Sequence, residues 1–260
     1  MHSVAPPGKS AIAGLLDGSV QVAQSAPSQG FGPLEQGQLP PTAHFAQINE
    51  KDGFFLVGRS SEPDFSWQRL QGRRILVDHG RQPMAMFQYA CHRSGLDFAS
   101  IAAVNAGATP QMIEAFCRGE GDYVHLQGPA PQQLEHEGRG WIVAALGDAI
   151  GPCAFSSLAA TRAWLASDRA RRFMRAYRKA RAWVIGAPAA DIAHAEAPFF
   201  PGIGIGVLTA TIAAYQKLGN WTPHAEITRP AFEATLDIFQ HAGLITQRHR
   251  YEDVVAPPPG

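Results

Sequence analysis

Short apolar runs alternate with stretches of helical period along most of the chain, the arrangement expected of an α/β protein. The first helical stretch covers residues 10–16 and closes at Asp17-Gly18, where glycine can take the left-handed conformation that ends a helix. A strand is expected over 20–24, running into a Ser/Pro/Gly loop. Residues 30–44 are rich in Gly, Pro and Gln and predict a loop or a weak short helix. "HFAQIN" and "GFFLVGR" read as strands joined by a polar turn over 49–53, and one helical turn is expected around Trp67–Leu70.

From Arg74 the alternation is cleaner. "RILV" is a strand, followed by a helix over 83–94 whose first turn tolerates Pro83 because that N–H is unpaired anyway. "DFASIAAV" is a strand, 109–118 a helix closed by Gly119, "DYVHL" a strand, "PAPQQLEHEG" a helix and "GWIVAAL" a strand. Together these make a compact unit over about 58–152. The remainder reads as mostly helical, with helices over 157–166, 167–186, from near Gly206 to Gly219, and 229–242. In the second of these, Phe173, Tyr177, Ala180 and Val184 form the stripe expected to be buried. The tail "VVAPPPG" is expected to be a disordered end.

Composition then excludes several functions. The 260 residues carry 22 Lys plus Arg against 22 Asp plus Glu, so no global basic field recruits nucleic acid or an anionic membrane. No apolar run approaches the roughly 20 residues of a membrane span. Cys91, Cys117 and Cys153 are odd in number and far apart, which fits buried small hydrophobes better than a disulfide framework or a paired metal site. The ten histidines form no HExxH motif, and Glu135, His136 and Glu137 point around a helix instead of at one ion. There is no G-x-S-x-G elbow, and Ser156 and Ser157 fit a helix N-cap at least as well as a nucleophile. "PPGKS" lacks the second glycine of a phosphate-binding loop, so Lys9 reads as a solvated charge. The seven cations between Arg169 and Arg181 read as a solvated helix face. No catalytic residue, metal site or cofactor is assigned. The N-terminus has no secretory signal pattern, which on its own would read as a cytoplasmic chain.

Three strand-to-helix corners remain. In "VDHGRQP", a glycine between strand and helix lets the backbone approach a ligand, and the helix start supplies N–H groups and partial positive charge. "QSAPS" follows the first strand, and "VHLQGPAPQQ" places His125 and Gln127 before a Pro-started helix. Ligands of open α/β sheets sit at the carboxyl ends of strands, so three such corners favour a shared cleft.

These stretches carry a resemblance. "AIAGLLDGSVQVAQSAPSQ", "AQINEKDGFFLVGR", "WQRLQGRRILVDHGRQPMAM", "GDYVHLQGPAPQQL", "RFMRAYRKARAWV" and "AGLITQRHRYEDVV" resemble the substrate-binding proteins of ABC transporters related to thiamine-pyrimidine-precursor, sulfonate, nitrate and taurine binders. The likeness covers nearly the whole chain. It implies a two-lobed α/β fold of the periplasmic-binding-protein type (type II), with a cleft between the lobes that closes on a small solute. Residues 51–58 would form the outward crossing and 153–157 the return. Lobe 1 would then be 1–57 with 154–260, and lobe 2 would be 58–153. Family members usually begin with a further strand, helix and strand, so lobe 1 is expected to lack about fifty residues, and a homodimer through that lobe is one expected consequence.

The reading is a non-enzymatic protein that binds a small polar, anionic or heteroaromatic solute and delivers it to an ABC permease. Family resemblance places it in the periplasm or outside the cytoplasm. The expected ligand-binding residues are Ser25, Pro27, His79, Gly80, Arg81, Gln82, His125 and Ser156, with Arg81 opposite any anionic group. Two rivals are a cytoplasmic sensor and an enzyme resembling the eukaryotic pyrimidine synthases. The three cysteines do not form the cysteine-rich iron-binding motif of those synthases.

Overall fold

The computed structural model describes residues 11–260; Lys9 and the expected helix start at Ser10 lie outside the described residues. In chain order the elements begin with α1 (Ala11–Leu16), β1 (Ala23–Ser25), α2 (Phe31–Glu35), β2 (Thr42–Asn49), β3 (Phe54–Gly58), β4 (Arg74–Leu76) and α3 (Arg81–Arg93). Next come β5 (Ala102–Val104), α4 (Thr109–Cys117), β6 (Tyr123–Gln127), α5 (Ala130–His136), β7 (Trp141–Ala145), α6 (Leu146–Ile150) and β8 (Ser156–Thr161). The chain ends with α7 (Arg162–Leu165), α8 (Asp168–Gly186), α9 (Ala189–Glu196), α10 (Ile205–Leu218), α11 (Arg229–His241) and α12 (Tyr251–Val254). These elements divide into two compact units, one of residues up to Glu50 with Cys153–Gly186 and Trp221–Gly260, the other of Lys51–Pro152 with Ala187–Asn220.

The first unit is built on a three-stranded antiparallel sheet in the order β1-β8-β2. Its central strand corrects an expectation, because residues 157–166 were predicted as a helix. Leu158, Ala159 and Ala160 favour helix locally, but β8 is paired along both edges and buried from Ser156 to Ala160. Tertiary pairing overrides propensity there. Phe45, Ala46, Leu158, Ala160, Met174 and Ala225 form the core between the sheet and α8. On α8, Ala170, Met174 and Arg181 are the buried positions, while Phe173, Tyr177 and Val184 are half-buried and Ala180 is exposed. Arg181 therefore leaves the solvated face assigned to it.

The tail is also ordered. Val254 and Val255 are buried, Val255 forms a parallel bridge with His44, and Ala256 N donates to His44 O at 2.9 Å. The tail thus covers the β2 edge that β8 does not pair. Behind α11, Phe31 meets Phe232 and Phe239 edge-on at 5.9 and 5.3 Å.

The second unit holds a five-stranded mixed sheet in the order β5-β4-β6-β3-β7. β4 runs parallel to β5 and β6, whereas β3 is antiparallel to β6 and β7. β2 and β3 consequently belong to different sheets, and residues 50–53 form a passage instead of a hairpin turn. Residues 51–57 and 187–220 group with this unit and not with the first, unlike the lobes expected above. The reason is pairing: β3 is bonded on both sides, and α10 packs on α9 and α5. A core of Val57, Leu76, Met112, Phe116, Val124, Leu126 and Leu134 lies between the sheet and helices α4 and α5.

The start of α6 sits hard against the passage. A Cβ on Gly147 would come 2.6 Å from Asp52 O and 3.0 Å from Lys51 Cβ. Gly147→Ala should therefore cost about 1–3 kcal/mol by overpacking. Chemical denaturation checks this, and a change below about 0.5 kcal/mol would contradict the close approach.

Candidate functional site

Polar residues collect at one end of the first unit's sheet. β8 starts there, and its Ser157 stands opposite Ser25 on β1 and Gln47 on β2, while Ser156 stands opposite Asn49. Ser25 and Ser156 are thus brought to the same strand ends. Pro27 opens the 3-10 turn directly after β1 and is buried together with Ser28. The Gln47 side-chain amide bonds two main-chain carbonyls, donating to Asn49 O and, at 3.1 Å, to Ser156 O. Its Oε1, Asn49 Oδ1 and Ser156 Oγ are buried without a hydrogen-bond partner among the described residues. His44 Nδ1 meets Ser157 Oγ at 2.8 Å, and burial pushes the His44 ring down to about 3, so it is neutral at neutral pH.

Neither Gln47 nor Asn49 was singled out in the sequence. The available signal was a glutamine and an asparagine at the end of the otherwise apolar "HFAQIN". Next to them, Glu50 is buried. Its carboxylate accepts from Thr228 Oγ1 at 3.3 Å and lies 3.2 Å from His224 Nε2. Cys153 N donates to Glu50 O at 2.7 Å, tying the outgoing and returning passages together.

In the second unit the carboxyl ends of β4, β5, β6 and β7 share an edge with the start of β3, as parallel and antiparallel pairing requires. The corner after β4 is locally braced. Asp78 Oδ1 accepts from Gly80 N at 2.8 Å, and His79 Nδ1 lies 2.8 Å from Val77 O. In that contact Nδ1–H donates to the carbonyl oxygen. Gly80 caps α3, and Arg81 and Gln82 form its first turn, with Arg81 exposed. His79, Gly80, Arg81 and Gln82 are therefore grouped on one corner.

His125 lies deeper in the unit than this corner. It lies inside the layer between sheet and α3, completely buried, stacked on Phe54 at 4.4 Å and against Phe87 at 5.2 Å. β6 alternates, and this position points into the packed layer, where neither ring nitrogen has a hydrogen-bond partner among the described residues. Burial pushes its ring down to about 3. At the neighbouring β3 start, Asp52 is fully buried. Its Oδ1 accepts from Phe54 N at 2.6 Å, and desolvation drives the carboxyl up to about 7. Tyr215 braces this edge, accepting from Gly128 N and donating to Gly53 O, both at 3.1 Å.

Among the described residues, no group of three His, Cys, Asp or Glu side chains could hold a metal ion. No helix among them is long and apolar enough to cross a membrane.

Two α/β units between which the chain passes four times, after residues 50, 152, 186 and 220, define a protein of the periplasmic-binding-protein-like fold. Solved structures agree on that fold. The alkanesulfonate-binding protein SsuA of Xanthomonas axonopodis pv. citri, solved bound to MOPS, superposes with a TM-score of 0.70 at 17% identity, covering 95% of this chain and 83% of the other. The ligand-binding component of an ABC-type import system from Staphylococcus aureus, solved with zinc bound, gives 0.72 at 13% identity, covering 94% and 81%. Within this fold, residues 3–191 match the NMT1/THI5-like family, and the chain belongs to it. YtlA of Bacillus subtilis (strain 168), provisionally named a binding protein, is 28% identical over 224 residues, or 85% of this chain and 67% of that one.

Proposed function

We propose that this chain is the solute-binding component of an ABC importer, working outside the cytoplasm and handing a small polar, anionic or heteroaromatic solute to a permease. It performs no covalent chemistry. The observation that carries the reading is the set of strand-end polar groups in the first unit, buried yet with hydrogen-bonding capacity unfilled among the described residues. A group of that kind left unpaired costs about 1–3 kcal/mol, which a bound solute would recover. Membership of the NMT1/THI5-like family supports the same reading. Ser25, Pro27 and Ser156 would contact the solute from the first unit. On the second unit the candidate solute contacts are His79, Gly80, Arg81, Gln82 and, deeper in the layer, His125, with the exposed Arg81 guanidinium suited to an acidic group.

The test is a thermal-shift screen of purified protein against alkanesulfonates, taurine, nitrate, pyrimidines and aromatic acids. A solute at a hundred times its dissociation constant adds about 2.7 kcal/mol and raises Tm by several degrees. Arg81→Ala should weaken an anionic hit about tenfold or more. A cooperative melt that no member of the panel moves would overturn the solute-binding reading.

A further inference from the structure

The first unit's strand-end group is asymmetric in hydrogen-bond sense. Gln47 is fully buried, and its amide orientation is set by two carbonyls: an Nε2 placed between Asn49 O and Ser156 O must be the nitrogen, because an oxygen there would face two acceptors. Its Oε1 is therefore an acceptor, and it has no partner among the described residues. Asn49, two residues on and opposite Ser156, adds a second buried oxygen without a partner, and Ser156, 8% exposed, adds a hydroxyl that is also unpaired. Among the described residues the one cation bonded at this end is Arg181, and its guanidinium is occupied by Gln47 O, Ile48 O, Thr222 O and Thr222 Oγ1. Two acceptor oxygens and a hydroxyl, with the nearby cation already engaged, are the complement of a donor.

We infer that Gln47, Asn49 and Ser156 form a donor-reading subsite that selects solutes carrying an amine or amide N–H over analogues without it. This rests on the solute-binding reading above and adds which feature of the solute the first unit recognises. Gln47 is the fixed member, since its own N–H groups hold β2 to β8. Ser156 and Asn49 are the members that can be removed without cutting that tie. A site built to pair a donor discriminates strongly against the analogue lacking it, because its buried oxygens then stay unpaired. A sulfonate or carboxylate end, which offers only acceptors, can take the Ser156 hydroxyl hydrogen but gains nothing from the two amide oxygens.

The experiment compares matched pairs by calorimetry and thermal shift: taurine with ethanesulfonate, 4-aminobenzoate with benzoate, and 4-aminopyrimidine with pyrimidine. In at least one pair the amino member should bind on the order of tenfold or more tighter. Ser156→Ala and Asn49→Ala should each reduce that preference, read as the ratio of the two members' dissociation constants, by about tenfold, with the unliganded melt still cooperative. Equal binding of both members in wild type would overturn the inference and leave the solute-binding reading standing. A preference that survives both substitutions would also overturn it, by placing donor recognition elsewhere. If no member of any pair binds, the inference falls together with the reading on which it rests.

Discussion

Arg181→Met should destabilise the first unit by about 3–5 kcal/mol, a large share of a typical domain's 5–15 kcal/mol. Arg181 is only 6% exposed, and among the described residues no carboxylate is bonded to its guanidinium; carbonyls and hydroxyls hold it. Nε donates to Thr222 O at 2.7 Å, and Nη2 donates to Thr222 Oγ1 at 3.0 Å. Nη1 reaches Gln47 O at 3.0 Å, Ile48 O at 2.9 Å and the Tyr177 hydroxyl at 3.1 Å. One side chain on α8 thus ties the end of β2 to the loop before α11. Methionine keeps the apolar stem and its packing, so the loss isolates the donors. It strands Ile48 O and Thr222 O, while Gln47 O retains the Tyr177 hydroxyl. Lysine, with three donors on one nitrogen, cannot reproduce a fork that faces two segments at once, and should recover less than half of the loss. Urea unfolding measures both variants. A methionine variant that loses less than about 1 kcal/mol at unchanged m would show that the network is dispensable.

Arg181 also shows where sequence reading stops. A helix with a cation at every second or third position looks solvated on that side, and six of the seven cations are not buried. Nothing in "RRFMRAYRKARAW" distinguishes the seventh, because its partners are main-chain carbonyls far away in sequence. The second unit was legible for the opposite reason. Its strands and helices alternate with local punctuation, and glycines at 95, 119 and 138 take the positive φ that closes the preceding turn. β8 was illegible because its residues favour helix and only non-local pairing makes them a strand. The tail was illegible because Pro-rich ends are usually loose, whereas here Val254 and Val255 find the open edge of β2.

The candidate site divides in the same way. The 78–82 corner could be read because Asp, His and Gly follow a strand and precede a helix, and the local hydrogen bonds of Asp78 and His79 then brace it. Ser25 and Ser156 come together only through β1–β8 pairing, which the sequence reading lacked when it made β8 a helix. Gln47 and Asn49 belong to strand ends whose polarity is visible, yet whose meaning depends on which strand lies opposite. The depth of His125 was not legible, because a histidine two residues inside a strand end looks much like one at the corner, and the pleat alone decides which layer it enters.

The stability of the protein should rise from acid to a maximum near pH 6–7 and fall again above it, with Asp52 responsible for the fall. His44 and His125 are held neutral in the fold, with ring values near 3 against 6.5 unfolded. Between those limits the unfolded chain binds two more protons than the native one at these positions, so stability increases with pH and is fully present above about 6.5. Asp52 acts in the other sense. Its folded value, near 7, is above the unfolded 3.8, so the native state keeps a proton that the unfolded chain releases. Its contribution is complete below about 3.8 and is lost as pH rises through 7. Across about 4 to 6.5 two histidine terms oppose one carboxyl term, leaving a net gain of roughly 1.4 kcal/mol per pH unit. Above 6.5 only the Asp52 loss continues. Asp52→Asn keeps the Oδ1 acceptor for Phe54 N and removes the charge, so at pH 8 it should be more stable than wild type by a few kcal/mol, while at pH 4 the two should nearly coincide. Calorimetric Tm values across pH 4–9 decide the matter: parallel curves for wild type and Asp52→Asn would mean that the buried carboxyl does not carry the proton the geometry assigns to it.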